Sequence, residues 1–234
     1  GSDGIWLRDN LKKCGVKTDF LKTCETPTGH AVIQVNKSGE NSIVLNGGAN
    51  QDIDAKFAEE VISEFSKGDY LLLQNEISSI PVIMRKSHKK GMKIIFNPSP
   101  MSKSLNSYPL DIVDVFILNE IEGSELSGKK GFRNIMNELR RKYPKASIIM
   151  TLGSKGAAYF ENEKIVFIPA VKVKAVDTTA AGDTFTGYFV AGISKNVIMK
   201  DSIILACQAA AICVTRKGAA DSIPELREIR NQKK

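Results

Sequence analysis

The feature that most limits this chain is an alternation. Short apolar runs recur, each followed after a brief polar link by a stretch of helical period. Tyr70–Leu73, Lys93–Phe96, Val113–Leu118 and Ser147–Leu152 read as strands. Val82–His88, Ile121–Leu126 and Ile135–Tyr143 read as helices between them, and Phe57, Val61, Ile62 and Phe65 mark a helix before the first strand. Strands that alternate with helices over short links bury their apolar faces as a mostly parallel sheet with helices on both sides. The expected fold is therefore a three-layer α/β arrangement. After Leu152 the pattern changes to a hairpin, Ala157–Phe160 with Ile165–Ile168, and then to two apolar helices, Gly182–Ile193 and Ser202–Thr215.

The stretch before Tyr70 is less regular. Residues 5–13 read as a helix ended by Gly15. Thr28–Val35 and Ser42–Leu45 read as two strands joined across Asn36-Lys-Ser-Gly39, with Gly47-Gly48 breaking the pattern. Polar residues at alternate positions predict a hairpin with one face wet. The opening Gly-Ser-Asp-Gly-Ile-Trp carries no initiator methionine and no signal-peptide pattern, and reads as the interior of a longer protein.

Charge and cysteine usage narrow the function classes. The formal net charge is +7, but the lysines are scattered, and no basic run is interleaved with aromatics. A solvated surface with a mild pull on anionic substrates fits better than nucleic-acid binding. No apolar run is long enough to span a membrane. Cys14, Cys24, Cys207 and Cys213 have no zinc or redox spacing, which points to buried thiols in a reducing cytoplasm. His30 and His88, the two histidines, stand in different segments, so a histidine triad is not expected.

Chemistry gathers where the strands end. Glu76, Asn97, Asn119 with Glu122, and Thr151 with Gly153 each follow a strand, and open α/β sheets bind ligands at that edge. The densest motif is Asp177-Thr-Thr-Ala-Ala-Gly-Asp-Thr-Phe-Thr-Gly187, at the start of an apolar helix. Ala180, Ala181 and Gly182 let a ligand approach the first N–H groups of that helix, which have no partner within it and lie at the positive end of its dipole. Asp183 would stand beside an anion held there, where accepting a proton from an attacking hydroxyl gives an acid a reason to be. The same residues also fit a plain helix start with Asp183 as a capping acid. Gly123-Ser-Glu-Leu-Ser-Gly-Lys129-Lys130 nearly spells a P-loop, but Lys130 replaces the hydroxyl residue and the segment follows a helix; a glycine-ended helix is the better reading.

Taken together, TPTG (26–29), GGAN (47–50), LLLQNE (71–76), NPSP (97–100), NEIEG (119–123), TLGSKG (151–156), VDTTAAGDTFTG (176–187) and AAAICVTRKGA (209–219) give the chain a family. In order and spacing it resembles the PfkB sugar and nucleoside kinases, and within them the ribokinase branch. The resemblance implies the ribokinase-like three-layer fold. Residues 1–27 and 47–234 would form the kinase domain, and 28–46 a partial β-lid hairpin that in the family covers the sugar and makes a homodimer.

The resemblance further implies transfer from ATP to the 5-hydroxyl of D-ribose, with neither nucleic acid nor membrane as partner. A sibling activity on deoxyribose or a nucleoside, or a truncated nucleotide-binding module without catalysis, are the alternatives. Asp183 would be the general base, Ala180, Ala181 and Gly182 the anion hole, and Glu76 a ribose contact. Asn97, Thr151, Leu152, Gly153, Ser154, Lys155, Gly156, Gly182 and Cys207 would meet the nucleotide. Asn119 and Glu122 would act on Mg2+ through water. Asp177, Thr179, Cys213, Arg216, Gly218 and Ser222 would hold K+. The family pattern opens with an Asn-x-Asp strand and a Gly-Gly-Lys-Gly-x-Asn loop that this sequence does not contain, so the resemblance implies a kinase missing its N-terminal part, with weak nucleotide binding and little ribose turnover.

Overall fold

The computed structural model describes residues 1–35 and 41–231, so the expected turn over 36–39 lies outside the described residues. The chain divides into two compact units, residues 1–94 with 102–112, and residues 95–101 with 113–234.

The first unit opens with α1 (Ser2–Lys13), which starts three residues earlier than its apolar period suggests, with Asp3 in the first turn and Lys12 and Lys13 in the last. Both ends suit the helix dipole. None of its residues is buried. Strands β1 (His30–Val35) and β2 (Asn41–Asn46) pair antiparallel, His30 opposite Asn46. The expectation of one dry face fails here. Val32, Val44 and Leu45 are all exposed, and since Val44 and Leu45 are successive they point to opposite faces.

The TPTG and GGAN motifs meet just outside this hairpin. A methyl group on Gly29 would lie 2.5 Å from the Gly47 carbonyl oxygen, and one on Gly48 would lie 2.4 Å from that of Pro27. The glycines at these positions are what the backbone contact requires, and this contact, rather than strand pairing, takes Thr28 and Gly29 out of β1.

Helix α2 (Ala55–Ser63) starts at Asp54, whose carboxylate accepts the Phe57 N–H at 2.7 Å, and it buries Ala58 and Ile62. Strand β3 (Tyr70–Gln74) follows, then α3 (Ile80–Lys90), with a proline in its first turn and left-handed Gly91 closing it. β4 (Lys93–Asn97) begins in the first unit and ends in the second.

In the second unit the end of β4, β5 (Val115–Asn119) and β6 (Ser147–Thr151) run parallel. β7 (Gly156–Glu161) and β8 (Lys164–Pro169) continue antiparallel, so the six-stranded sheet, ordered β3-β4-β5-β6-β7-β8, is mixed. Helices α4 (Glu120–Ser127) and α5 (Phe132–Lys142) follow β5. Helices α6 (Ala181–Ser194), α7 (Met199–Cys213) and α8 (Leu226–Asn231) follow β8. The last of these is short and polar and has no apolar period to announce it.

The pleat separates two faces. Ile95, Val115, Ile117 and Ile149 pack with Phe185, Phe189, Ile203 and Ala206 of α6 and α7. On the other face Gly123 of α4 lies so close to Leu118, Met150 and Ile135 that a methyl group would meet each at about 3 Å. Helices therefore cover both sides, as the alternation requires. The near P-loop resolves as the end of α4, capped by left-handed Gly128.

Candidate active site

The start of α6 is open. Ala180 is its N-cap in the left-handed region, φ 59°, a conformation that costs a non-glycine residue about 1 kcal/mol or more. No side chain caps the helix. The Ala181 N–H bonds to the Thr178 carbonyl at 3.2 Å, and the Thr184 N–H to that of Ala180 at 2.8 Å. Gly182 and Asp183 are exposed.

Gly182 is the informative residue. Its φ is not positive, and a methyl group built on it meets no atom within 4 Å. Neither strain nor crowding demands glycine there, and glycine weakens a helix relative to alanine. Among the described residues nothing fills the space that the missing side chain leaves. A ligand brought against the backbone would.

Beside this turn the loops 177–179 and 213–222 are tied together. Asp177 Oδ1 accepts the Thr179 N–H at 2.9 Å, and Oδ2 accepts the Gly218 N–H at 3.0 Å. The Thr179 hydroxyl and these two N–H groups hold the carboxyl of Asp177 below the ordinary range. Cys213 Sγ lies 3.1 Å from the Ser222 hydroxyl and 3.7 Å from the Thr179 carbonyl oxygen. The Arg216 N–H donates to the Cys213 carbonyl at 3.0 Å, so all six residues of the expected K+ set belong to one connected cluster. Its donor set is one carboxylate with main-chain carbonyls and a hydroxyl, which suits a weakly hydrated monovalent cation. Among the described residues no group of three His, Cys, Asp or Glu stands close enough to hold a metal, so a transition-metal reading has no support there.

Asn119 and Glu122 form a reciprocal cap at the start of α4. Asn119 Oδ1 accepts the N–H groups of Ile121 and Glu122, both at 2.9 Å. Glu122 Oε2 accepts the Asn119 N–H at 2.9 Å, and Oε1 the Asn119 side-chain amide at 2.9 Å. Asn97 donates to Glu122 Oε2 at 3.3 Å and to the Ile117 carbonyl at 2.8 Å. Burial pushes the Glu122 carboxyl up, and the Asn119 N–H with the side chains of Ser99 and Asn97 pulls it back. Both carboxylate oxygens already accept hydrogen bonds, Oε2 from two donors and Oε1 from one, an arrangement that suits contact with Mg2+ through water. Magnesium keeps much of its water in such sites.

The remaining site residues stand on other elements. Thr151 ends β6, and residues 153–155 form a single turn that the Leu152 N–H closes onto the Gly156 carbonyl at 2.7 Å. Gly153, Ser154 and Lys155 are exposed. Cys207 is packed in the core under the sheet, and burial pushes its thiol up to about 11, leaving it unreactive. Glu76, in the first unit, is exposed, and its carbonyl accepts the Gln51 amide at 2.8 Å. Its neighbour Asn75 is fixed by Ser102 at 2.9 Å and Tyr108 at 2.8 Å.

The profile of the pfkB family carbohydrate kinases matches residues 2–226. The chain belongs to the PfkB family. A ribokinase of Schizosaccharomyces pombe is 36% identical over 239 residues, covering 97% of this chain and 74% of the relative. The crystal structure of a Cryptococcus neoformans ribokinase in complex with ADP aligns with TM-score 0.85 and 32% identity, over 98% of this chain and 79% of that one. An Arabidopsis thaliana ribokinase complexed with ribose and ATP aligns with TM-score 0.76 and 30% identity, over 93% and 73%. These PfkB likenesses carry the ribokinase-like fold, and the architecture above is that fold.

Proposed function

We propose that this PfkB chain is an ATP-dependent sugar kinase that phosphorylates the 5-hydroxyl of D-ribose. The observation that carries the reading is the unexplained glycine at 182, in an open turn of small residues one position before an exposed acid. The relatives named ribokinase, one with ribose and ATP bound and one with ADP, supply the substrates.

In this account Asp183 takes the proton from the 5-hydroxyl as the oxygen attacks the terminal phosphorus of ATP. The bond from that phosphorus to the bridging oxygen breaks, and ADP leaves. The backbone of Ala180, Ala181 and Gly182 carries the charge on the phosphoryl oxygens, which in phosphoryl transfer is most of the catalytic work. Asn97, residues 151–156, Gly182 and Cys207 form the nucleotide side; since Cys207 is buried in the core, any contribution from it is to the shape of the wall. Glu76 contacts ribose. Mg2+, when bound, neutralises phosphate charge, and Asn119 and Glu122 orient its water shell. K+ is held by Asp177 with the carbonyls of Thr179, Cys213, Arg216 and Gly218 and the Ser222 hydroxyl. The kinase domain comprises 1–27 and 47–234, and the hairpin 28–46 is the partial lid that pairs two copies. No described helix is long and apolar enough to cross a membrane.

The test is ADP release with Mg2+, K+ and ATP when D-ribose, deoxyribose or adenosine is offered. Release that depends on D-ribose supports the proposal; release only with one of the others reassigns the acceptor.

A further inference from the structure

The loop between α7 and α8 carries three of the proposed K+ residues, yet it has little regular structure of its own. What fixes it comes from outside. The Val214 carbonyl accepts the N–H groups of Val176 at 2.7 Å and Asp177 at 3.2 Å, and the Arg216 N–H is bonded to the Cys213 carbonyl at 3.0 Å. The Arg216 side chain reaches across the loop to an ion pair with Glu228 on α8. Glu228 is itself aimed: its other oxygen accepts the Glu225 N–H at 2.7 Å. α8 is an anchored base, with Ile229 buried against Ala209 and Ile212 of α7, and with the Tyr188 hydroxyl of α6 donating to the Pro224 carbonyl.

Arg216 and Glu228 are each about one-third exposed, 36%. A pair this wet contributes little to global stability. Its geometry does something else. A guanidinium held by a carboxylate restrains the residue that bears it, and the main-chain carbonyl of that residue is one of the proposed cation ligands. Holding ligands in place from behind is a recurrent device around bound ions, and loss of such a partner weakens the ion about tenfold or more.

We infer that Glu228 is a positioning residue for the monovalent-cation loop, acting through Arg216. This rests on the K+ reading proposed above and extends it to a residue outside the ligand set.

The experiment follows the unfolding midpoint of the 234-residue protein while KCl replaces choline chloride at constant ionic strength. The wild type should gain stability with K+, giving a half-saturation concentration. Glu228→Gln should raise that concentration about tenfold. Exchanging the pair, Arg216→Glu with Glu228→Arg, should return it towards the wild-type value. If Glu228→Gln does not fold, Arg216→Gln breaks the same pair from the other side and decides the matter alike. An unchanged half-saturation in the broken-pair variant overturns the role of Glu228 and leaves the K+ reading standing. A wild type that responds to K+ no more than to choline overturns the K+ reading, and this inference falls with it.

Discussion

Helices α1 and α6 make an instructive pair. Both carry apolar residues at helical spacing. In α6, Phe185 and Phe189 are buried under the sheet together with α7. In α1, Ile5, Trp6, Leu7 and Leu11 are all exposed, Trp6 at 65%. Period alone tells that a segment is a helix; it does not tell what will cover the apolar stripe. The hairpin β1–β2 repeats the lesson, with described residues exposed on both of its faces. The second unit thus holds its own packing partners, while these elements of the first do not.

The comparison can be broken by stability measurements. Phe189→Ala should cost about 3–5 kcal/mol in urea unfolding, since it empties a site with no exposure in the core. Trp6→Ala should change stability by no more than about 0.5 kcal/mol. A comparable loss for both would show that α1 has a packing role its exposure hides.

Next in size is the cap of α4. Asn119→Ala removes the acceptor for two N–H groups and the side-chain donor to Glu122, leaving the main-chain N–H of residue 119 in place, and should cost about 1–2 kcal/mol by the same measurement. Smaller again is a pH effect at Asp177. Its carboxyl is held below its ordinary value of 3.8, so the stability it adds is fully present above that value and is lost as the pH falls through the lower folded one. Asp177→Asn should therefore be less stable than the wild type near neutrality, with the gap closing in acid; a gap independent of pH would remove the carboxylate from the loop's support. The smallest effect should be a gain. Gly182→Ala has open space and an ordinary helical backbone, so it should stabilise by about 0.5 kcal/mol. The same change should slow ADP release, because the methyl group intrudes where the phosphoryl oxygens are held.

The parts legible in the sequence were those with local causes. Strand ends, helix periods and the glycine-ended α4 depend on neighbouring residues, and each stands within a few residues of where its pattern places it. The turn at 180–183, with Gly182 and Asp183 exposed, is legible for the same reason. What stayed hidden depends on distance. Asn97 bonds to Glu122 across more than twenty residues, and Glu228 meets Arg216 from a helix too short to show a period. The family resemblance makes Cys207 a nucleotide neighbour, but packing puts it in the core.

The central claim is that the open turn before Asp183 receives the phosphoryl group while Asp183 takes the proton. The direct test is Asp183→Asn in the full-length protein, with turnover on D-ribose and ATP affinity measured side by side. The account predicts a fall in kcat of about a thousandfold with ATP affinity retained. Turnover equal to that of the wild type would contradict it.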